Sequence, residues 1–128
     1  LSALDRKTVL VVEDISSNYL LISAMLSKHY NLLHAVNGEQ AVAMVKEYKI
    51  DLLLMDMKMP VMDGLTATAE IRKFDTNIPI VALTAHAFES DKVAALKSGC
   101  NDYLVKPVDK ARLMSVLRKY CHPSTLVL

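Results

Sequence analysis

Glu13, Asp14, Asp56, Thr84 and Lys106 have side chains able to do chemistry together, and each follows a short apolar run. Val9 to Val12 lead into Glu13 and Asp14, Asp51 to Met55 into Asp56, Ile80 to Leu83 into Thr84, and Asp102 to Val105 into Lys106. Singly each has a bland explanation: acids cap helices that follow strands, a Thr hydroxyl ends a strand, and a Lys points to solvent. Together they differ, because three carboxylates crowded without compensation repel one another and call for a cation. The set offers hard oxygens and neither His nor Cys, which favours Mg²⁺ with retained waters over Zn²⁺ or a full Ca²⁺ cage; Mn²⁺ is an acceptable substitute.

A phosphoryl transition state asks for in-line placement and positive charge on its equatorial oxygens, with little covalent help from the protein. Lys106 and the Thr84 hydroxyl supply such contacts. Asp56, leaving a central strand beside the acids of the first strand, is the carboxylate best placed to attack phosphorus while holding the metal. The product would be an acyl phosphate.

The elements that must position these residues are legible as an alternation of short apolar runs and longer amphipathic ones, the pattern of βα units around a parallel sheet. The expected strands are Val9 to Val12, Leu32 to Ala35, Asp51 to Met55, Ile80 to Leu83 and Asp102 to Val105. Helical spacing joins Leu21/Met25 and Ile22/Leu26, then Val42/Val45, Leu65/Ala69, Val93/Leu96, and Leu113/Val116/Leu117/Tyr120, each stripe expected to face the sheet. Asn37-Gly38 is expected to open the second helix, Gly99 to end the fourth in a left-handed cap, and Asp109 to N-cap the fifth. Five parallel strands with right-handed crossovers favour the doubly wound α/β order 2-1-3-4-5, flanked by five helices. Ligands then bind beyond the carboxyl ends of the strands, where the five residues converge.

At 128 residues, 52% hydrophobic and 23% charged, the chain fits one domain with a full core. Its net charge of +1 is spread in short pairs such as Arg72-Lys73 and Arg118-Lys119, so direct nucleic-acid binding is not expected. Cys100 and Cys121 show no ligand spacing and read as reduced thiols. The seven Met read mostly as core filler. No apolar run is long enough to span a membrane, so membrane insertion by this domain is not expected and a cytoplasmic location is, within a piece of a longer polypeptide.

With Val-Val-Glu-Asp, Leu-Met-Asp-Met-Lys-Met-Pro-Val-Met-Asp-Gly, Ala-Leu-Thr-Ala and Leu-Val-Lys-Pro in this order, the chain resembles the receiver domain of two-component response regulators. The resemblance covers roughly Thr8 to Tyr120 and implies a flavodoxin-like fold, a single receiver domain over 1–128 with its core at about 8–120, and a tail or linker over 121–128. It implies that Asp56 is the phosphoacceptor and that Asp14, Asp56 and the backbone carbonyl of Lys58 ligate Mg²⁺, with Glu13 acting mainly through a water. Lys106 would pair with the carboxylate or phosphoryl oxygens, and Thr84 would move to the attached phosphoryl group, the small Ala85 leaving access.

Tyr103 matches the aromatic position that turns inward when the Thr moves, against the plainer reading of a half-buried strand aromatic. The resemblance also implies a cis Lys106-Pro107 bond. Lys58 and His86 flank the expected path of a hydrolytic water and read as settings of phosphate lifetime; for His86 an exposed loop histidine is an equal reading. His29, His34 and His122 are scattered without ligand spacing.

The implied function is phosphorelay signalling, the donor being a phosphohistidine on a histidine kinase or histidine phosphotransfer domain, with a switched partner surface and a phosphorylation-dependent homodimer as a further option. The Ala-Leu-Thr-Ala-His-Ala-Phe segment looks like receivers fused behind hybrid sensor kinases. An aspartyl-phosphate Mg²⁺ phosphatase is the enzymatic rival, but that class carries a second acid two residues after the nucleophile, where this chain has Lys58. The third reading, a phosphorylation-independent docking domain, conflicts with the intact set of five.

Overall fold

The structure is a computed structural model that describes residues 6–123. Of the expected tail over 121–128, residues 124–128 lie outside the described residues. Five βα units follow one another: β1 (Thr8–Val12), α1 (Ser16–Leu26), β2 (Asn31–Ala35), α2 (Gly38–Glu47), β3 (Leu52–Asp56), α3 (Gly64–Arg72), β4 (Ile80–Thr84), α4 (Glu89–Ser98), β5 (Asp102–Val105) and α5 (Lys110–Tyr120). The strands pair in parallel in the order β2-β1-β3-β4-β5, as the pattern predicts.

Because successive strand residues point to opposite faces, the sheet separates two cores. Val9, Val11, Leu52, Leu54, Val81 and Leu83 pack with Ile22 and Leu26 of α1 and with Leu113 and Leu117 of α5. Leu10, Val12, Leu53, Met55, Ile80 and Ala82 pack with Ala41, Ala67, Ile71 and Ala95 of α2, α3 and α4. Burial on both faces explains why β1, β3 and β4 are nearly unbroken Val, Ile and Leu. Cys121 belongs to the first core and Cys100 to the second, so the two thiols lie on opposite faces of the sheet.

The helix boundaries at Asn37, Gly99 and Asp109 have the expected local causes, and Asp63 adds a cap that was not expected. Asn37, Asp63 and Asp109 accept the amides of Gln40, Thr66 and Arg112 at 2.8, 2.8 and 3.0 Å, each satisfying an amide of the first helical turn. Gly99 ends α4 at φ 116°, and a Cβ there would strike Arg72, whose Nε donates to the Gly99 carbonyl at 3.0 Å.

The structure corrects several expectations. Asp56 and Thr84 are the last residues of their strands rather than the first beyond them, because Asp56 pairs with Leu83 and Thr84 with Val105 in the ladder. Leu21, Val93 and Leu96 do not face the sheet; they are 50%, 38% and 49% exposed. In α3 the inward residues are Ala67, Thr68 and Ile71 instead of Leu65 and Ala69, and in α4 the buried residue is Ala95. A three- or four-residue spacing marks two adjacent stripes equally well, and small residues win the inner one because they let the helix approach the sheet closely. Among the described residues no helix is long and apolar enough to cross a membrane.

Candidate functional site

The strand ends deliver Glu13, Asp14, Asp56, Thr84 and Lys106 to one rim. Asp14, Asp56, Thr84 and Lys106 line a cavity of about 240 Å³, together with Lys58, Ala85, His86 and Asp91. Glu13 is fully buried and does not line this cavity, and Asp56 is 5% exposed. Lys106 joins them from β5, placing Nζ 2.9 Å from Glu13 Oε2 and 3.0 Å from Asp56 Oδ2. The other oxygen of Asp56 accepts the Lys58 amide at 3.2 Å. Glu13 Oε1 accepts the Ile15 amide at 3.3 Å and Asn18 Nδ2 at 3.4 Å. The Lys106-Pro107 bond is cis, as the resemblance implies.

Two buried carboxylates share one ammonium, and the charges show it. Burial pushes the Asp56 carboxyl above its ordinary range, outweighing the Lys106 and Lys58 hydrogen bonds that pull it down, and the nearby Glu13 charge adds to the rise. For Lys106 burial acts downward, but the hydrogen bonds and charges of Glu13 and Asp56 win and hold the ammonium above its ordinary value. With Asp14 included, one oxygen from each of the three acids falls within 4.8 Å of the others. That all-oxygen cluster fits a hard divalent cation, whose charge would offset the carboxylate charge that Lys106 alone leaves unbalanced.

Thr84 is engaged with main-chain carbonyls rather than with Asp56. Its hydroxyl donates to the His86 carbonyl at 3.0 Å, with the Leu104 carbonyl at 3.5 Å. His86 stacks on Phe88, ring centroids 5.0 Å apart, and both are exposed. Tyr103 is half-buried, with Lys92 Nζ 4.8 Å from its ring centroid.

Comparison with known proteins agrees with this geometry. The family model described as response regulator receiver domain matches residues 9–118. This chain belongs to that family. As a receiver domain it is 40% identical over 119 residues to hybrid signal transduction histidine kinase M of Dictyostelium discoideum, covering 87% of this chain and 5% of that protein. The receiver thus spans a small part of the curated relatives it matches. Among solved structures it resembles the receiver domain of sensor histidine kinase PA1611 from Pseudomonas aeruginosa, described with a magnesium ion coordinated in the active site cleft. That match has 39% identity, a TM-score of 0.83, and coverage of 89% of this chain and 96% of that one. It also resembles the receiver domain of Saccharomyces cerevisiae Ssk1, solved in complex with the histidine phosphotransfer protein Ypd1. Here identity is 36%, the TM-score 0.86, and coverage 91% and 89%.

Some residues of this receiver's rim carry no signal at the strand ends. Gly64 opens α3 against the end of β3, where a Cβ would collide with the Asp56 carbonyl and the Met57 side chain, so the β3–α3 loop closes tightly only with glycine. The Asp63-Gly64 pair after β3 is the available sequence signal. Asn18 and Asp91 come from the first turns of α1 and α4, and nothing in their local sequence marks them.

Proposed function

We propose that this chain is a single receiver domain, with its core at about 8–120, that takes a phosphoryl group onto Asp56 in a Mg²⁺-dependent reaction. The observation that carries this reading is the Asp56 carboxylate. It is buried at the end of the central strand, fixed through Oδ2 by Lys106 at 3.0 Å and through Oδ1 by the Lys58 amide at 3.2 Å, beside a cavity that reaches solvent. Holding both oxygens leaves the carboxylate little freedom to misorient, so much of the entropic cost of alignment is met before the donor arrives.

In the proposed transfer a carboxylate oxygen lone pair of Asp56 forms the new O–P bond while the donor's N–P bond breaks, its electron pair returning to the imidazole nitrogen. Asp14, Asp56 and the Lys58 carbonyl would hold Mg²⁺, with Glu13 acting through a water. When bound, the ion neutralises charge on the transferring oxygens. Lys106 keeps Asp56 in place and offers its ammonium to the incoming phosphoryl oxygens. Thr84 gives up the His86 carbonyl and donates to the acyl phosphate, which draws in the β4–α4 loop and frees space for Tyr103 to turn. Lys58 and His86 both line the cavity, in reach of an attacking water, and set how long the acyl phosphate lasts.

The donor in this reading is a phosphohistidine on a histidine kinase or a histidine phosphotransfer domain, with a hybrid sensor kinase as the chain's own context. Support comes from the relatives, which include hybrid histidine kinases, and from the neighbour solved with Ypd1. The domain is proposed as a phosphoacceptor that assists its own chemistry rather than a turnover enzyme. Mn²⁺ is proposed as a working substitute, and the surface around α4 and β5 as the readout.

The test is intact mass after incubation with acetyl phosphate or phosphoramidate, with and without Mg²⁺. A single phosphoryl adduct that needs Mg²⁺ and is absent from Asp56→Asn is the expected result. A folded wild type that takes up no phosphoryl group from any donor would overturn the reading in favour of docking alone.

A further inference from the structure

His34 belongs to the edge strand β2, and no metal-ligand or donor motif surrounds it in the sequence. In the fold its imidazole Nε2 lies 2.7 Å from the backbone carbonyl of Glu13. A carbonyl only accepts, so Nε2 carries the hydrogen and donates. The ring is held in that orientation by Tyr19 of α1, stacked on it with centroids 3.8 Å apart and planes within 6°. Both rings are half-buried, and Tyr19 packs against the core beneath α1.

This contact sits where the ladder runs out. The Glu13 amide donates to the Ala35 carbonyl at 3.0 Å, the last main-chain bond between β1 and β2 on that side. The Glu13 carbonyl lies beyond the ladder, and His34 takes it. That carbonyl and the amide of Asp14 belong to one rigid peptide plane. Fixing the carbonyl therefore fixes the plane from which the Asp14 side chain departs. The other tethers of this segment are the long bonds of the Ile15 amide and Asn18 to Glu13 Oε1, at 3.3 and 3.4 Å, and the α1 N-cap Ile15 adds no side-chain cap, so losing His34 loosens the plane about the flanking φ and ψ.

We propose that His34, locked by Tyr19, is a positioning residue for the cation-binding acids. It orients the Glu13–Asp14 peptide so that the Asp14 carboxylate is preset beside those of Glu13 and Asp56. The inference rests on the proposed Mg²⁺ site, and it assigns to β2 and α1 a part in tuning that site's affinity. Hydrogen-bonded partners outside the ligand set commonly change metal affinity by about 10–100-fold when removed.

The test is Mg²⁺ titration by calorimetry on the folded chain, with the Asp14 amide chemical shift and hydrogen exchange followed by NMR. His34→Leu should weaken Mg²⁺ binding by about tenfold and speed exchange at Asp14. His34→Gln, which restores an N–H donor of similar reach, should recover most of the affinity, a rescue that packing alone would not produce. Tyr19→Leu keeps the imidazole but unlocks it, and should cost about threefold, less than outright removal; it carries the test if His34→Leu does not fold. His29→Leu, on an exposed turn, should bind as wild type does. Wild-type affinity in both His34→Leu and Tyr19→Leu, with wild type binding Mg²⁺, would overturn the positioning role alone. No Mg²⁺ binding by wild type would overturn the metal site itself and this inference with it.

Discussion

At the rim formed by the N-terminal ends of the strands, buried and half-buried polar groups are matched to defined neutral partners, whereas at the opposite rim two buried acids share one lysine with a third acid beside them. The Tyr30 hydroxyl donates to the Cys121 carbonyl at 2.7 Å, tying the start of β2 to the end of α5. Asp51 accepts the Thr8 amide at 2.8 Å, and Arg72 donates to Gly99, Asp75 and Asn101 at 2.9 to 3.1 Å. These bonds close loops, and burial raises the Tyr30 hydroxyl far above its ordinary value, so it stays a neutral donor. At the other rim the same kinds of group are left with unbalanced charge. One rim holds the chain; the other carries a charge imbalance that costs stability.

Lys106→Met is the strongest way to break that comparison. It leaves Glu13 and Asp56 buried without a counter-ion, and the expected loss in metal-free buffer is about 3 kcal/mol, read from urea denaturation midpoints. Added Mg²⁺ should recover part of the loss, because a divalent cation replaces the missing positive charge. A loss below about 1 kcal/mol would mean that water already screens the rim as it screens exposed pairs. Tyr30→Phe probes the opposite rim. Removing one buried neutral hydrogen bond should cost about 1–2 kcal/mol, with Mg²⁺ making no difference to the cost. A cost that changed with Mg²⁺ would show that the two rims are coupled through the sheet.

The same contrast separates what was legible in the sequence from what was not. Apolar runs ending in Glu13-Asp14, Asp56, Thr84 and Lys106 disclosed both the strands and the site, because in a parallel sheet the carboxyl ends share one rim. Asn37, Asp109 and Gly99 disclosed helix ends because caps act within a few residues. The inward stripes of α3 and α4 were misjudged, since Leu65, Val93 and Leu96 look like better core residues than Ala67 and Ala95 until the closeness of the sheet is known. His34 was silent because it acts on a partner brought close only by the fold. His34 and Glu13 are 21 residues apart and meet only through the pairing of β1 with β2.

Asp56→Asn sharpens the comparison with a smaller effect whose sign is set by pH. The carboxyl titrates above its ordinary value of 3.8 in the folded chain, first because it is buried and then because Glu13 is near. A raised acid binds its proton more tightly when folded, so the folded state is favoured at low pH and loses stability as pH rises from about 3.8 through the folded value. Asn carries no such proton and escapes the loss. The variant should therefore equal or fall slightly below wild type near pH 4 and exceed it near pH 7 by something on the order of 1 kcal/mol in metal-free buffer. Thermal melts at both pH values with a chelator present measure the difference. Millimolar Mg²⁺ should shrink or reverse it at pH 7, because binding to the ionised wild-type site adds stability that the variant gains less of. A variant equally stable at both pH values would show that Lys106 already compensates Asp56 in full, and the two rims would then differ in geometry without differing in electrostatic cost.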